Sequence, residues 1–442
     1  MALKSNNVEK FLRLRSEYPW FSYGGFDYTL DTGGLRVQYR FDLAGRYRFK
    51  PILFFPAGNF SFNSDLPAET IENMLFHIGM IEMISYWKAA CPPKIVIKHY
   101  SLTDEQVRWW KKLYFNGLGE FFFLNSIDAD EDSFTEILPG KEKTLLPFSL
   151  PAEEAVMIPV GGGKDSAVTL ELLGGLPGSI PMILNPMEAG LGMIRIKGFE
   201  NRFVEVRRTL DPLLPELNDK GFLNGHTPFS ALLAFVSLMA AALSGRRYIA
   251  LSNESSANEA TIGNTGINHQ YSKTLEFFRD FRDYAGKYMT RDIEYFSFLR
   301  PLNELQIAKL FSGFPQYFTI FKSCNAGSKT GTWCGRCAKC LFTWIILSPF
   351  VEKEKLLKIF GKDMLNDPEL LPLLDELTGR SESKPFDCIG TIEEVNAALE
   401  SSLPSPVLRP PSSVRIGHLL SAYHPHHIPP RFEPVLKDRL HG

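Results

Sequence analysis

The sequence predicts an α/β protein: a parallel sheet preceded by an N-terminal α+β domain and followed by a four-cysteine knuckle. Three observations carry that expectation. From Ala155 onward, short apolar runs alternate with amphipathic stretches: AVMIPV, then AVTLELL, then MILN at Met182–Asn185, then YIALSNES at Tyr248–Ser255. Runs that are apolar at every position suit strands buried on both faces, as a parallel sheet requires. Before residue 150 the pattern instead alternates apolar with polar, the mark of half-buried antiparallel strands. Four of the 6 cysteines crowd between Cys324 and Cys340.

Taken in order, residues 1–150 form the expected first unit. Phe26–Phe55 alternates around a turn at Asp31–Gly34 and predicts antiparallel strands. Ala68–Ala90 and Asp104–Asn116 have helical character, with Lys94–Tyr100 as a strand between them. Thr103 is the expected N-cap of the second helix, because its hydroxyl can accept from an orphan N–H of the first turn. Residues 151–320 carry the predicted parallel sheet, including the buried helix Ala231–Ser244. The knuckle occupies 321–345 and a helical region 346–400. A Pro-rich tail, 401–442, is expected to lie extended over a domain or a partner subunit, or to be mobile.

A chain of 442 residues is long enough for two to three domains. At 44% hydrophobic and 22% charged, it falls outside the fibrous, collagenous and disordered classes. A formal net charge of −2 offers no long-range attraction to phosphate polymers, so no nucleic-acid partner is expected. The N-terminal stretch lacks an uninterrupted apolar run, and no window approaches the ~20 apolar residues of a membrane span. A cytoplasmic protein is expected. In a reducing compartment clustered thiols read as metal ligands before disulfides.

Gly161-Gly162-Gly163-Lys164-Asp165-Ser166 follows a predicted strand and opens a predicted helix. Glycines there let the backbone curl so that successive N–H groups face one anion, with the helix N-terminus adding positive charge. A Walker A loop is excluded, since Ile158 stands where its first glycine belongs and Asp165 follows the lysine. The dinucleotide fingerprint fails at Ser166. The bland alternative is a tight turn that uses glycine for steric reasons alone.

The stretch PVGGGKDSAVTLELL resembles the pyrophosphate loop of the ATP pyrophosphatase (PP-loop) superfamily, whose usual form is Ser-Gly-Gly-x-Asp-Ser. The resemblance implies that ATP is cleaved to AMP and pyrophosphate, with a substrate oxygen activated as its adenylate. It also implies that Gly161, Gly162, Gly163, Lys164 and Ser166 hold the phosphates. Asp165 would help to hold Mg²⁺, and Leu184 and Asn185 would lie near adenine. Gly161 replaces the superfamily's first serine, so backbone amides and Lys164 must supply more of the phosphate contact.

Cys324, Cys334, Cys337 and Cys340 have the spacing C-x9-C-x2-C-x2-C. Thiolates two residues apart can wrap one tetrahedral ion at ~2.3 Å, and four thiolates without histidine suggest a closed, structural zinc. An iron–sulfur cluster and four free thiols are the alternatives. A similar arrangement follows the PP-loop domain of 7-cyano-7-deazaguanine synthases, where it binds zinc, but those enzymes lack the first 150 residues and the tail.

Across the whole chain, ISYWKAACPPKI, LYFNGLGEFFFLN, ALSNESSANEAT and KPFDCIGT, together with the glycine loop, resemble the MurL family. These are UDP-N-acetylmuramoyl-L-alanyl-L-glutamate epimerases. The resemblance implies a UDP-muramyl dipeptide substrate whose terminal L-glutamate is inverted through an acyl-adenylate. Another PP-loop adenylating enzyme, forming a nitrile or modifying tRNA, is the runner-up, and a non-catalytic nucleotide sensor is the third reading.

For the acid and base, three residues are candidates. His226 precedes the long helix and either approaches the sheet edge or is a plain turn histidine. Glu254, with Asn258 and Glu259, follows the third strand and either binds metal or substrate or caps the next helix. Cys388 is either a thiol base or a buried structural cysteine. The His424, His426, His427 group is expected to be solvent-exposed or at an interface, and the Arg108, Lys111, Lys112 group to be a solvated helix face.

Overall fold

A computed structural model describes residues 4–58, 60–262, 266–328, 330–381, 383–402 and 415–441. Among the described residues, eleven strands join in one sheet. They are β1 (Phe21–Asp31), β2 (Gly34–Leu43), β3 (Tyr47–Phe49), β4 (Ile52–Pro56), β5 (Lys94–Ile97), β6 (Glu136–Leu138), β7 (Glu153–Pro159), β8 (Ile180–Leu184), β9 (Val204–Thr209), β10 (Arg246–Leu251) and β11 (Glu294–Ser297). Their order is β11-β10-β7-β8-β9-β4-β2-β1-β5-β6, with β3 paired to β2 off this path.

The strands from β11 to β9 are all parallel. Alternate side chains of β7 enter two different cores, Val156 and Ile158 on one face and Met157 on the other. Burial on both faces is why this strand is apolar throughout. The helix Phe229–Ser244 packs on the Met157 face, and Lys164–Leu173 packs on the Val156 face. Because β8 and β10 leave β7 in opposite directions, the chain's switch point lies at the carboxyl end of β7, where open α/β sheets bind ligands.

The join between the two halves was not legible in the sequence. β4 pairs antiparallel with β9, from Ile52 opposite Thr209 to Phe54 opposite Arg207, so one sheet runs across residue 150. In the N-terminal half β1 and β2 form the expected antiparallel pair. Thr103 caps the helix Asp104–Gly117 in a full capping box with Gln106. The stretch expected as one helix over Ala68–Ala90 divides into Ala68–Glu82 and Ile84–Trp87 and stops short of Pro92-Pro93, which cannot continue a helix.

The tail differs in part from an extended strap. Residues 403–414, most of its Pro-rich stretch, lie outside the described residues. Beyond them the helices Ile416–Leu420 and Glu433–His441 form, and Ile428, Phe432 and Leu436 are buried in the Val156-face core. Asn303 and Gln306 donate to the carbonyls of Leu419, Leu420 and Ala422, which ties this segment down. Among the described residues no helix is long and apolar enough to cross a membrane.

Candidate active site

A cavity of about 530 Å³ opens at the carboxyl ends of β7, β8 and β10, lined by Gly161, Gly163, Lys164, Asp165 and Ser166 among others. The loop's shape is set by Gly162, whose φ of +89° strains any side chain. A Cβ there would also stand 2.9 Å from the Ala189 Cβ. At Gly161 a Cβ would meet nothing within 4 Å, so the position has room on its open side. Ser166 fastens the turn: its hydroxyl donates to Gly163 O at 2.9 Å and accepts from Gly162 N–H at 3.2 Å. Gly163 is the N-cap of the helix Lys164–Leu173, which aims its N-terminal N–H groups at the cavity.

Three carboxylates meet beneath the loop. Ligand oxygens of Asp165, Glu254 and Glu304 lie within 4.8 Å of one another. Lys164 Nζ donates to Asp165 Oδ1 at 2.5 Å and also to Glu304. Burial opposes the Lys164 charge, but Asp165 and Glu304 outweigh it and hold the ammonium above the ordinary lysine range. Burial pushes both Glu254 and Glu304 above the usual carboxylate range, and the neighbouring carboxylates add to it. Lys273 also faces Glu254 and Asp165, and the all-oxygen donor set of the three acids is one that could hold a divalent cation. Lys273, Lys322 and Lys339 also line the cavity, the Lys322 ammonium donating to the carbonyls of Thr319 and Phe321.

The four cysteines are also brought together, with all sulfurs within 4.8 Å. Cys337 Sγ lies 3.5 Å from Cys340 Sγ and 3.6 Å from Cys324 Sγ, and Cys334 Sγ lies 3.7 Å from Cys340 Sγ. Four thiolates ~2.3 Å from one tetrahedral ion would stand about 3.8 Å apart, so the set fits a single ion. A multi-iron cluster separates its thiolates further, because each binds a different iron. This knot positions the cavity as well. Lys322, two residues before Cys324, donates its N–H to Gly162 O at 2.8 Å, and Lys339 stands between Cys337 and Cys340.

Cys388 lines the cavity too. His269, Lys273 and Lys339 are the positively charged neighbours of its thiol. Burial alone would raise its pKa, but Lys273, Lys339 and His269 outweigh it and hold the thiol well below the ordinary range. His226 does not line the cavity; it packs against His269, with ring centroids 4.5 Å apart, and sits 3.4 Å from Glu120 Oε2.

Of the residues expected from sequence, the loop, Glu254, Leu184, Asn185 and Cys388 thus share one cavity, while His226 stands behind it. Asn258 and Glu259 are structural: Asn258 Oδ1 accepts from Leu275 N–H at the start of a helix, and Glu259 pairs with Lys384. Sequence reasoning missed Glu304, Lys273, His269 and Glu120. Glu120 does lie in the stretch LYFNGLGEFFFLN, and His269 and Lys273 lie in the polar run NHQYSK, the only local signals for them.

A glycine loop, a carboxylate cluster and a thiol gathered at the switch point of a parallel sheet are the arrangement of an α/β enzyme site. Two family models match the chain, the MurL N-terminal domain over residues 13–298 and the MurL C-terminal domain over residues 320–415. The chain belongs to the MurL family. Three relatives carry the name UDP-N-acetyl-alpha-D-muramoyl-L-alanyl-L-glutamate epimerase. That of Xanthomonas oryzae pv. oryzae is 32% identical over 352 residues, 75% of each chain. That of Salinispora tropica is 32% identical over 398 residues, 86% of this chain and 84% of the relative. That of a Micromonospora species is 30% identical over 438 residues, 94% of this chain and 97% of the relative. No solved structure matches.

Proposed function

We propose that the protein inverts the terminal L-glutamate of UDP-N-acetylmuramoyl-L-alanyl-L-glutamate to D-glutamate, using ATP to form an acyl-adenylate and releasing AMP and pyrophosphate. The observation that carries this reading is the single cavity in which the Gly161–Ser166 loop, the Asp165, Glu254 and Glu304 carboxylates and the Cys388 thiol meet. The epimerase name of relatives matched over most of their length supports it.

The chemistry needs each part. Removing the Cα hydrogen beside a free carboxylate would place a second negative charge next to the first. Adenylation removes that charge and makes the Cα–H acidic. On this reading the loop belongs to the PP-loop superfamily: its amides, Lys164 and Ser166 grip the departing pyrophosphate, and Leu184 and Asn185 lie beside adenine. Asp165, Glu254 and Glu304 would hold Mg²⁺, which when bound offsets the phosphate charge. Cys388 takes the Cα proton, and an acid on the other face of the carbon returns one. Hydrolysis of the adenylate then frees the product. Cys324, Cys334, Cys337 and Cys340 would hold a structural zinc that fixes Lys322 and Lys339 on the cavity wall.

The test is to incubate the protein with ATP, Mg²⁺ and the UDP-muramyl dipeptide and follow AMP, pyrophosphate and glutamate chirality. D-glutamate appearing with AMP is the expected result. AMP without inversion would point instead to a nitrile- or amide-forming PP-loop enzyme.

A further inference from the structure

The thiol wall of the cavity is assembled from segments that are remote in sequence. Cys388 lies in Lys384–Thr391, and that segment is clamped at several points. Lys384 pairs with Glu259, Gln270 Nε2 donates to Ile389 O at 3.2 Å, and Thr391 N–H donates to Glu394 Oε2 at 2.5 Å. The sulfur is therefore held in place rather than carried on a loose loop.

His269 approaches that sulfur with a carboxylate behind it. Its Nδ1 bonds Glu120 Oε2, which leaves Nε2 on the side away from that carboxylate, and Cys388 is among its electrostatic neighbours. A carboxylate on one ring nitrogen fixes the tautomer and orientation of an imidazole, and an oriented imidazolium keeps a neighbouring thiol ionised. His226 and His269 share Glu120, but they do not share its effect. Burial pulls His269 down, yet Cys388 and Glu120 outweigh it and push it up to about 9. His226 is pushed down to about 4 by burial, with His269 adding to it. One ring is thus charged and its neighbour neutral near pH 7. The charged groups facing Cys388 are Lys273, Lys339, His269 and Asp387, and Lys88 and Lys273 stand behind His226.

We propose that Cys388, on the cavity wall, is the group that exchanges the glutamate Cα proton, and that His269, oriented by Glu120, is the positioning residue beside it. This rests on the epimerase reading above. In the forward step the thiolate lone pair forms S–H as the Cα–H bond breaks. The bond's electrons move onto the acyl-adenylate carbonyl oxygen, so negative charge passes from sulfur to an enolate and no redox partner is needed.

The experiment uses the full-length, metal-loaded protein and the variants Cys388→Ser, His269→Asn and Glu120→Gln. Iodoacetamide labelling of the Cys388 peptide is followed against pH by mass spectrometry. In His269→Asn the labelling midpoint should rise by at least ~1 pH unit, and the acid limb of kcat should move with it. Glu120→Gln, which keeps its shape, should shift both the same way by less. With ATP, Mg²⁺ and the dipeptide substrate in D₂O, Cys388→Ser should lose Cα deuterium uptake far more than it loses ATP–pyrophosphate exchange. An unchanged midpoint in His269→Asn, or deuterium uptake that survives Cys388→Ser, would overturn the proposal. So would a second bound metal that disappears with His269→Asn, because Glu120, His226 and His269 would then be its ligands. Labelling needs neither ATP nor substrate, so it decides the pairing even where absent exchange sinks the epimerase reading.

Discussion

The glycine-loop wall of the cavity is contiguous in the chain, from Pro159 to Ser166, whereas the thiol wall sets Lys273 and Cys388 at the cavity with His269 and Glu120 behind them, drawn from three segments. The first is built by local rules: a buried strand ends, glycine turns the chain, and a helix begins. The second is built by tertiary clamps such as Lys384–Glu259 and Gln270–Ile389. Charge follows the same division. On the proposed reading the loop receives anions, and backbone amides and Lys164 converge there. At the half-buried Cys388 the neighbours are instead His269, Lys273 and Lys339, which favour the ionised thiol.

If the two walls serve separable half-reactions, damage to each should have its own signature. The largest effect is expected at the loop. Asp165→Ala should lower AMP release and inversion together by ~10³-fold or more, while the Cys388 labelling midpoint stays where it was. Next comes the footing the walls share. Stripping metal from the four-cysteine site, or Cys337→Ser, should loosen Lys322 and Lys339 at once. Calorimetry should then show several kcal/mol of lost stability, and both partial reactions should fall, since metal and folding are coupled.

A smaller effect separates the walls by pH. His226 behind the cavity and His77 in the core are both pushed down to about 4 by burial. Between pH 6.5 and 4 the unfolded chain binds protons that the folded chain refuses. Their contribution is therefore complete above about pH 6.5 and lost as the pH falls toward 4, at most ~3 kcal/mol for each. Denaturant titrations should show a flatter pH dependence for His77→Gln and His226→Asn. Last, Gly162→Ala forces a side chain onto a φ of +89°. It should cost ~1–3 kcal/mol and weaken ATP binding, without touching Cys388 labelling.

The division between the walls also explains what the sequence disclosed. The strand–glycine–helix signal and the spacing of Cys324, Cys334, Cys337 and Cys340 are local, and the structure places both as they imply. Glu304 is local as well, but it follows Asn303, the cap of a full capping box, and so resembles an ordinary acid in a helix's first turn. Glu120 and His269 have no mutual spacing to detect, because they are neighbours only once β4 has met β9 and the halves have closed into one sheet. β9 itself, VEVRRT, alternates like an exposed strand and gives no hint of that pairing. The tail's Pro content concealed Phe432 and Leu436, which bury themselves in the core.

The most direct measurement is of deuterium at the glutamate Cα, made in D₂O with ATP, Mg²⁺ and the UDP-muramyl dipeptide, for the wild type and for Cys388→Ser. The wild type should form D-glutamate carrying solvent deuterium in step with AMP. In Cys388→Ser, AMP and pyrophosphate turnover should outlast deuterium uptake. Inversion without AMP, or equal deuterium uptake in the two proteins, would contradict the proposed mechanism.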